Sequence, residues 1–407
     1  MQNLLKNLKN TSKSLRTLTQ NERKAVILEI ARQIELEADN IKSANDIDLS
    51  LASNLSPALL ERLKFDRSRV LSLAQNIKDI ASLPEVIGLV ERGWCAKSGI
   101  NIEKISIPIG NICTIYESRP NVTAEVAALC IKSANGCALK GGKEARNTNL
   151  ALIKAISTAL KNCDLDENCV VYLDIDRNDV GELIKMDKYL DLIVPRGGES
   201  LVKFVSQNAT IPVLKHDKGL CHIYVDEFAD LNKALQICVN AKCSRPSVCN
   251  AAETVLVHKN IAEYFLPLLK TELDKFGVEI FGCEKSAKLI SCKIANEQNY
   301  STEYLDFKLN LKIVNDLDTA LEHISKFSSG HSEAIISENY SVCEKFLKLV
   351  DSACVYANAS TRFSDGSEFG FGAEIGISTN KLHARGPVGL KELTTYKYII
   401  RGNGQIR

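Results

Sequence analysis

The residues best suited to chemistry gather in one polar loop, Ala241-Lys242-Cys243-Ser244-Arg245-Pro246-Ser247-Val248-Cys249-Asn250, which holds two cysteines between a helical pattern and a strand pattern. A catalytic thiol must be reachable and ionisable, because the thiolate attacks and free cysteine has a pKa of about 8.5. Cys249 stands where loop meets strand and is the first candidate nucleophile. Cys243 is the second, and inert packing is the alternative for both. The backbone amide of Cys249 and the side chain of Asn250 are candidate donors to an oxyanion. Arg119, Arg245, Arg362 and Arg385 are candidates for holding phosphate or carboxylate, since a guanidinium offers a two-pronged match to either.

A second group lies at the ends of strand patterns. Ile112 to Tyr116 is followed by Glu117-Ser118-Arg119-Pro120-Asn121, where proline ends the strand before a helical pattern. Lys140-Gly141-Gly142-Lys143 and Arg196-Gly197-Gly198 follow two further strands, and the second precedes a helix whose first amides suit an anion. Three such turns suggest a dinucleotide site, although no G-x-G-x-x-G occurs; plain turn chemistry is the alternative at each. His216, His222, His258, His323, His331 and His383 show no H-x-x-x-H spacing, and the fourteen cysteines include no C-x-x-C, so no metal site is expected.

The elements that must position these residues follow from periodicity. The first ninety residues read as helices: Thr19 to Glu22 has the form of a capping box, with Ile27, Ile30, Ala31, Ile34, Ala38 and Ile41 at helical spacing behind it, and Ser56-Pro57 marks another start. Gly93 to Pro108 alternates as a hairpin or protruding ribbon would. Strands are expected at 112–116, 137–140, 170–173, 190–194 and 221–225, with helices near 122–135, 147–160 and 200–208. A second alternating series starts near Asp230, with strands at 254–257, 311–314, 333–336 and 354–358 and a last strand at 396–400. Such βαβ alternation predicts doubly wound α/β architecture, in which ligands sit beyond the carboxyl ends of strands.

At 407 residues the chain exceeds one ordinary core, so two or more domains are expected. Hydrophobic residues at 45% and charged residues at 25% suit an ordinary folded protein. Fifty-one basic against fifty acidic side chains give a net charge of +1, which argues against nucleic acid or an anionic membrane as partner and for a small ligand. No apolar run suits a signal peptide or a membrane span, and a cytoplasmic, reducing compartment is expected.

The runs Ile115 to Thr123, Met186 to Tyr189, Val194 to Gly198, Arg245 to Asn250 and Leu382 to Pro387 resemble the γ-glutamyl phosphate reductase family of the aldehyde dehydrogenase superfamily. So does Val314 to Ile335, with Ala320, His323-Ile324, Ser328-Ser329 and His331-Ser332-Glu333. The likeness is colinear over nearly the whole chain. Two departures stand out: Lys215 to Gly219 is charged where the family is usually glycine-rich, and Phe327 replaces a histidine or tyrosine.

The resemblance implies an aldehyde dehydrogenase-like α/β fold: a cofactor domain at 1–225 interrupted by an oligomerisation ribbon at 93–108, a catalytic domain at 226–362, a return to the cofactor domain at 363–385, and an oligomerisation tail at 386–407. It implies NADPH-dependent reduction of L-glutamyl 5-phosphate to glutamate 5-semialdehyde and phosphate in proline biosynthesis, through a thioester on Cys249. Asn121 falls where hydrolytic relatives place an oxyanion-binding asparagine, Lys140 on their ribose-binding lysine, and Lys143 where a cation favours NADP. Gly141, Arg196, Gly197, Gly198 and Glu303 complete the implied cofactor contacts; Arg119, Asn250, Arg245 and Arg385 are the implied substrate contacts. A homo-oligomer and functional coupling to glutamate 5-kinase are also implied. The alternatives are a hydrolytic aldehyde dehydrogenase with another substrate, and a non-catalytic redox-sensing protein.

Overall fold

In the computed structural model residues 1–407 are described except 53, 54, 56, 216 and 217, together with the side chains of 57 and 58. The cap expected at Ser56 and the His216-Asp217 part of the charged stretch therefore lie outside the described residues. The chain forms two compact units: Met1–Lys215, Gly370–Gly376 and Val388–Arg407 in the first, and His216–Phe369 with Ile377–Pro387 in the second.

The first unit begins with helices. Thr19 caps Gln20–Leu36 reciprocally with Glu22: the Glu22 N–H donates to the threonine hydroxyl at 3.3 Å and the Thr19 N–H to the carboxylate at 2.6 Å. The apolar stripe continues past a break at Glu37 into Ala38–Leu51, so one expected helix is two. Its side chains Ile27, Ile30, Ala31, Ile34 and Ile41 are fully buried.

The ribbon is a hairpin of β1 (Val90–Cys95) and β2 (Asn101–Pro108), to which the strand Thr394–Arg401 adds antiparallel along all eight residues of β2. The same unit holds a parallel sheet of β3 (Asn111–Tyr116), β4 (Gly136–Lys140), β5 (Val170–Tyr172) and β6 (Leu192–Arg196), ordered β5-β4-β3-β6. Every residue of β3 and β4 is buried, as expected of strands covered on both faces.

The second unit is built on β7 (Cys221–Val225), β8 (Ala252–His258), β9 (Glu279–Gly282), β10 (Lys293–Ile294), β11 (Lys308–Val314), β12 (Ser332–Ile336) and β13 (Cys354–Ala357), all parallel, in the order β10-β9-β11-β8-β7-β12-β13. Two short strands, β14 (Ile377–Ser378) and β15 (Gly386–Pro387), pair apart from it.

Two expected boundaries are corrected. The sequence pattern puts residues 221–225 with the first series, yet β7 lies between β8 and β12, so the units part at 215/216 and not at 225/226. The segment 363–385 does not return as a whole to the first unit: only Gly370–Gly376 does, while 377–385 stays with the second, where β14 pairs with β15. No helix among the described residues is long and apolar enough to cross a membrane.

Candidate active site

In the first unit β4, β3 and β6 are parallel neighbours, so the turns after them emerge side by side at the carboxyl edge of the sheet, as the fold rule anticipates. Two carboxylates stitch these turns together. Glu144 accepts from the Ser118 N–H at 2.6 Å and the Ser118 hydroxyl at 2.8 Å, which holds that serine at a left-handed φ of 43°. Glu117 accepts from the Gly198 N–H at 2.8 Å, while its own N–H donates to the Arg196 carbonyl at 3.1 Å.

These contacts explain the glycines. A Cβ at Gly197 would lie 2.5 Å from the Glu117 carboxylate, and one at Gly141 would collide with Asn149 and lie 3.1 Å from the Tyr172 hydroxyl. Cations surround the same edge. Lys140 is buried and donates to the Gly141 carbonyl at 2.9 Å; burial lowers its pKa against the pull of Glu144 and other carboxylates. Lys143 is exposed and Arg196 partly so. Asn121 opens the helix Asn121–Lys132, and its amide donates to Glu125 one turn on at 2.9 Å. Burial holds Glu125 above the usual carboxylate range, against hydrogen bonds from Asn76 and Asn121 and the charges of Arg196 and Arg119. Arg119, Asn121, Lys140, Gly141, Lys143, Arg196, Gly197 and Gly198 thus share one edge of one sheet.

The second unit holds the nucleophile loop, and here the carboxyl-end expectation is corrected. Cys249 lies just before β8, next to Gly219 ahead of β7, so the loop sits at the amino ends of its strands. Gly219 has no room for a side chain: a Cβ there would lie 2.5 Å from the carbonyl carbon of Cys249 and 2.6 Å from its Cα. The N–H of Gly219 donates to Glu303 at 2.9 Å, and the Cys221 thiol donates to the Cys249 carbonyl at 3.2 Å.

Both ends of the loop are tied. Lys242, in the last turn of the helix Leu231–Cys243, donates to Glu253 on β8 at 2.8 Å, and both are essentially sealed from solvent. Burial pushes the Glu253 carboxyl up to about 7, although Lys242 draws it down. Asn250 is also interior. Its amide hydrogens go to the carbonyls of Arg362 at 3.2 Å and Ser364 at 2.9 Å, and its carbonyl oxygen accepts from Arg362. The side chain expected to face an oxyanion instead holds Arg362, because both its hydrogens are already spent.

The remaining candidates separate on exposure. Cys249 is partly exposed. Cys243 is buried, and burial pushes its thiol up to about 11, which sets it aside as nucleophile. Cys283 is unlike the other thiols: burial opposes ionisation, but hydrogen bonds from Ser286 and the Ile313 N–H outweigh it and hold its pKa below the ordinary value. Arg385 is turned to Asp351, with Nη1 on the carboxylate and Nη2 on the carbonyl, both at 2.7 Å. Among the described residues no cluster of three or more potential ligands could hold a metal ion.

Beneath the loop runs a buried polar row that periodicity did not reveal. Glu333 on β12, His222 on β7, Thr254 on β8 and Asn310 on β11 stand in register across four strands, each at most 1% exposed. Glu333 accepts from the His222 N–H at 2.8 Å and from Ser328, and the adjacent Ser329 hydroxyl accepts from the Leu220 N–H at 3.0 Å. His323 Nδ1 accepts from the Lys312 ammonium at 3.0 Å; burial, with His222, Lys312 and Lys326 nearby, brings its pKa to about 2, so it is neutral. Residue type and spacing do not mark Gly219, Lys242, Glu253 or Glu333 as site residues. Only Lys242 and Glu253 carried a local signal, a charge on each flank of the cysteine loop within otherwise apolar patterns.

The model of the aldehyde dehydrogenase family matches residues 2–280. The γ-glutamyl phosphate reductase of Nautilia profundicola is 52% identical over the whole of both chains, and that of Nitratiruptor sp. 51% over the whole of both. The crystal structure of γ-glutamyl phosphate reductase from Thermotoga maritima superposes with a TM-score of 0.98 at 45% identity, covering 100% of this chain and 99% of that one. With a family match over more than half its length and relatives of this identity end to end, the chain is an oxidoreductase that belongs to the aldehyde dehydrogenase family, among its γ-glutamyl phosphate reductases.

Proposed function

We propose that this protein reduces L-glutamyl 5-phosphate to glutamate 5-semialdehyde and phosphate, using NADPH and a thioester on Cys249. The observation that carries the reading is the contrast among the thiols of the loop region. Cys249 is partly exposed on a loop tied at both ends, whereas Cys243 and Cys221 are buried and burial drives both pKa values up.

The Cys249 thiolate attacks the acyl carbon, the carbon–oxygen bond to phosphorus breaks, and phosphate leaves with the electron pair. Covalent capture divides one hard displacement into two easier ones and leaves a thioester, a far better hydride acceptor than a carboxylate. NADPH, when bound, supplies the hydride to that carbonyl carbon. Collapse of the adduct then expels the Cys249 thiolate and frees the aldehyde. The backbone N–H of Cys249 remains a candidate for the oxyanion, and Asn121 is proposed for the same task.

The carboxyl edge of the first unit fits a phosphate-bearing cofactor. Its two stitching carboxylates are committed to backbone amides and a serine, while Lys140, Lys143 and Arg196 supply positive charge. Lys140 is proposed to bind ribose, Lys143 the additional phosphate of NADP, and the turns Gly141 and Arg196-Gly197-Gly198 the diphosphate. Glu303, fixed on the Gly219 N–H, is proposed to bind the nicotinamide ribose.

The three-stranded sheet of β1, β2 and Thr394–Arg401 exposes Val90, Trp94, Tyr396, Tyr398 and Ile400, an apolar surface proposed to join copies of the chain. Functional coupling to glutamate 5-kinase, as the source of the acyl phosphate, is part of the same reading, as is a cytoplasmic location.

The test runs the reaction in reverse, measuring NADP reduction by glutamate semialdehyde. Cys249→Ala should abolish activity with the melting curve unchanged; retained activity overturns the nucleophile. Turnover without phosphate or arsenate would favour a hydrolytic aldehyde dehydrogenase.

A further inference from the structure

Resting on the acyl phosphate reading above, we propose that Arg245 and Arg362 form the subsite for the phosphate group that leaves when Cys249 is acylated. Four arginines entered as candidates for the anionic ends of the substrate. Arg385 is committed to Asp351 through two of its nitrogens, and Arg119, on the turn after β3, adds its charge to that of Arg196 on Glu125 at the proposed cofactor edge. Arg245 and Arg362 alone of the four belong to the nucleophile loop and its brace.

Arg362 is held along that loop. Its Nε donates to the Ser244 hydroxyl at 3.1 Å, its Nη1 donates to the Asn250 side chain, and its carbonyl takes an Asn250 amide hydrogen at 3.2 Å. Thr361 beside it donates to the Asn250 carbonyl at 2.7 Å. The guanidinium therefore spans from one residue before Arg245 to one residue after Cys249. Of its five N–H groups two are spent on these side chains, and its orientation is set before substrate arrives.

Arg245 is exposed and needs no partner to stay solvated. It is close enough to Arg362 to matter, however: burial first, and then the Arg245 charge, lower the pKa of the Arg362 guanidinium, while Asp365, Cys249 and Glu368 pull the other way. Of these carboxylates Asp365 is turned to the Ser367 N–H, at 2.9 Å. Arg362 is hydrogen-bonded to Ser244, the residue next to Arg245, so the two like charges share the loop that carries Cys249, and a dianion held by both removes their repulsion.

Chemistry decides which anion. In an acyl phosphate the phosphorus is one bridging oxygen from the carbon under attack, so the phosphate must lie next to the Cys249 sulfur. The α-carboxylate of the same substrate is farther, about 5 Å along a chain of carbons bonded at about 1.5 Å. A guanidinium tied to both flanks of the loop that carries the sulfur matches the nearer anion, and it stabilises the charge that grows on phosphate as the bond breaks.

The experiment is the reverse reaction with the full-length enzyme, varying phosphate, semialdehyde and NADP in turn for wild type, Arg245→Gln and Arg362→Lys. The expected result is a KM for phosphate raised at least tenfold in each variant, with the KM for semialdehyde and for NADP within twofold of wild type. A KM for phosphate within twofold in both variants overturns the proposal. So does a rise confined to semialdehyde, which would make the pair a carboxylate site. Should Arg362→Lys fail to fold, Arg245→Gln decides alone, since that side chain is exposed. Wild-type turnover that ignores phosphate would sink the acyl phosphate reading itself, an outcome visible before any arginine is changed.

Discussion

Gly219→Ala perturbs the nucleophile without touching its side chain. The added methyl would lie 2.5 and 2.6 Å from two backbone atoms of Cys249, where ordinary contact begins at 3.4 Å. Backbone cannot rotate aside as a side chain can, so Cys249 must retreat by about 1 Å or Gly219 must withdraw from Glu303. Retreat is resisted from both directions: the Cys249 carbonyl receives the Cys221 thiol at 3.2 Å, and the next carbonyl receives Thr361 at 2.7 Å. Crowding of this kind costs about 1–3 kcal/mol of stability, and a misplacement of about 1 Å at a reacting group costs on the order of 100-fold in rate. The expected outcome is a kcat about 100-fold down in phosphate-dependent NADP reduction and a comparable fall in the rate of Cys249 alkylation by iodoacetamide. A kcat within threefold of wild type, with an unchanged melting temperature, would refute the argument that Gly219 sets the position of the sulfur.

Three further outcomes follow from the same geometry. Lys242→Met leaves the Glu253 carboxylate buried without its cation, held only by the Leu305 N–H at 3.2 Å, which should cost about 3–5 kcal/mol in urea unfolding, whereas Lys242→Met with Glu253→Leu should recover most of it; a single variant within about 1 kcal/mol of wild type would count against the clamp. Under graded iodoacetamide, Cys249 and Cys283 should label ahead of Cys113, which burial pushes up to about 12, and Cys243, and mass spectrometry showing Cys113 among the first modified would contradict the assigned burial. Glu29 is held down to about 2, chiefly by Arg32 and further by Asn162 and Gln33, against an unfolded value of 4.5. Its folded pKa is the lower one, so its contribution is full above pH 4.5 and drains as pH falls toward about 2. Glu29→Gln should therefore flatten the loss of melting temperature on acidification, and parallel curves for the two proteins would dismiss it.

Local patterns carried much of the architecture. Runs such as Ile112 to Tyr116 are apolar on both faces because both faces are covered, and the Thr19 capping box satisfies its amides within four residues; each signal is written in a handful of consecutive residues. The cysteine loop was legible for the same reason, as a polar interruption between two periodic segments. Pairing was another matter. Cys221 to Val225 reads as a strand in either series, and its place beside Ala252–His258 and Ser332–Ile336 follows from which faces bury together across the chain. The strands Glu279–Gly282 and Lys293–Ile294 escaped notice because they are short and lie toward one edge of the sheet.

The surroundings of Cys249 were least legible. Asn250 and Arg362 meet across a separation of 112 residues, Gly219 and Glu303 across 84, and His222 and Glu333 across 111. Residue type records that such groups can hydrogen-bond, and spacing along the chain says nothing of whom they meet. Burial supplies the rest: once a carboxylate or amide is removed from water it must find a partner, and the fold determines which partners are within reach.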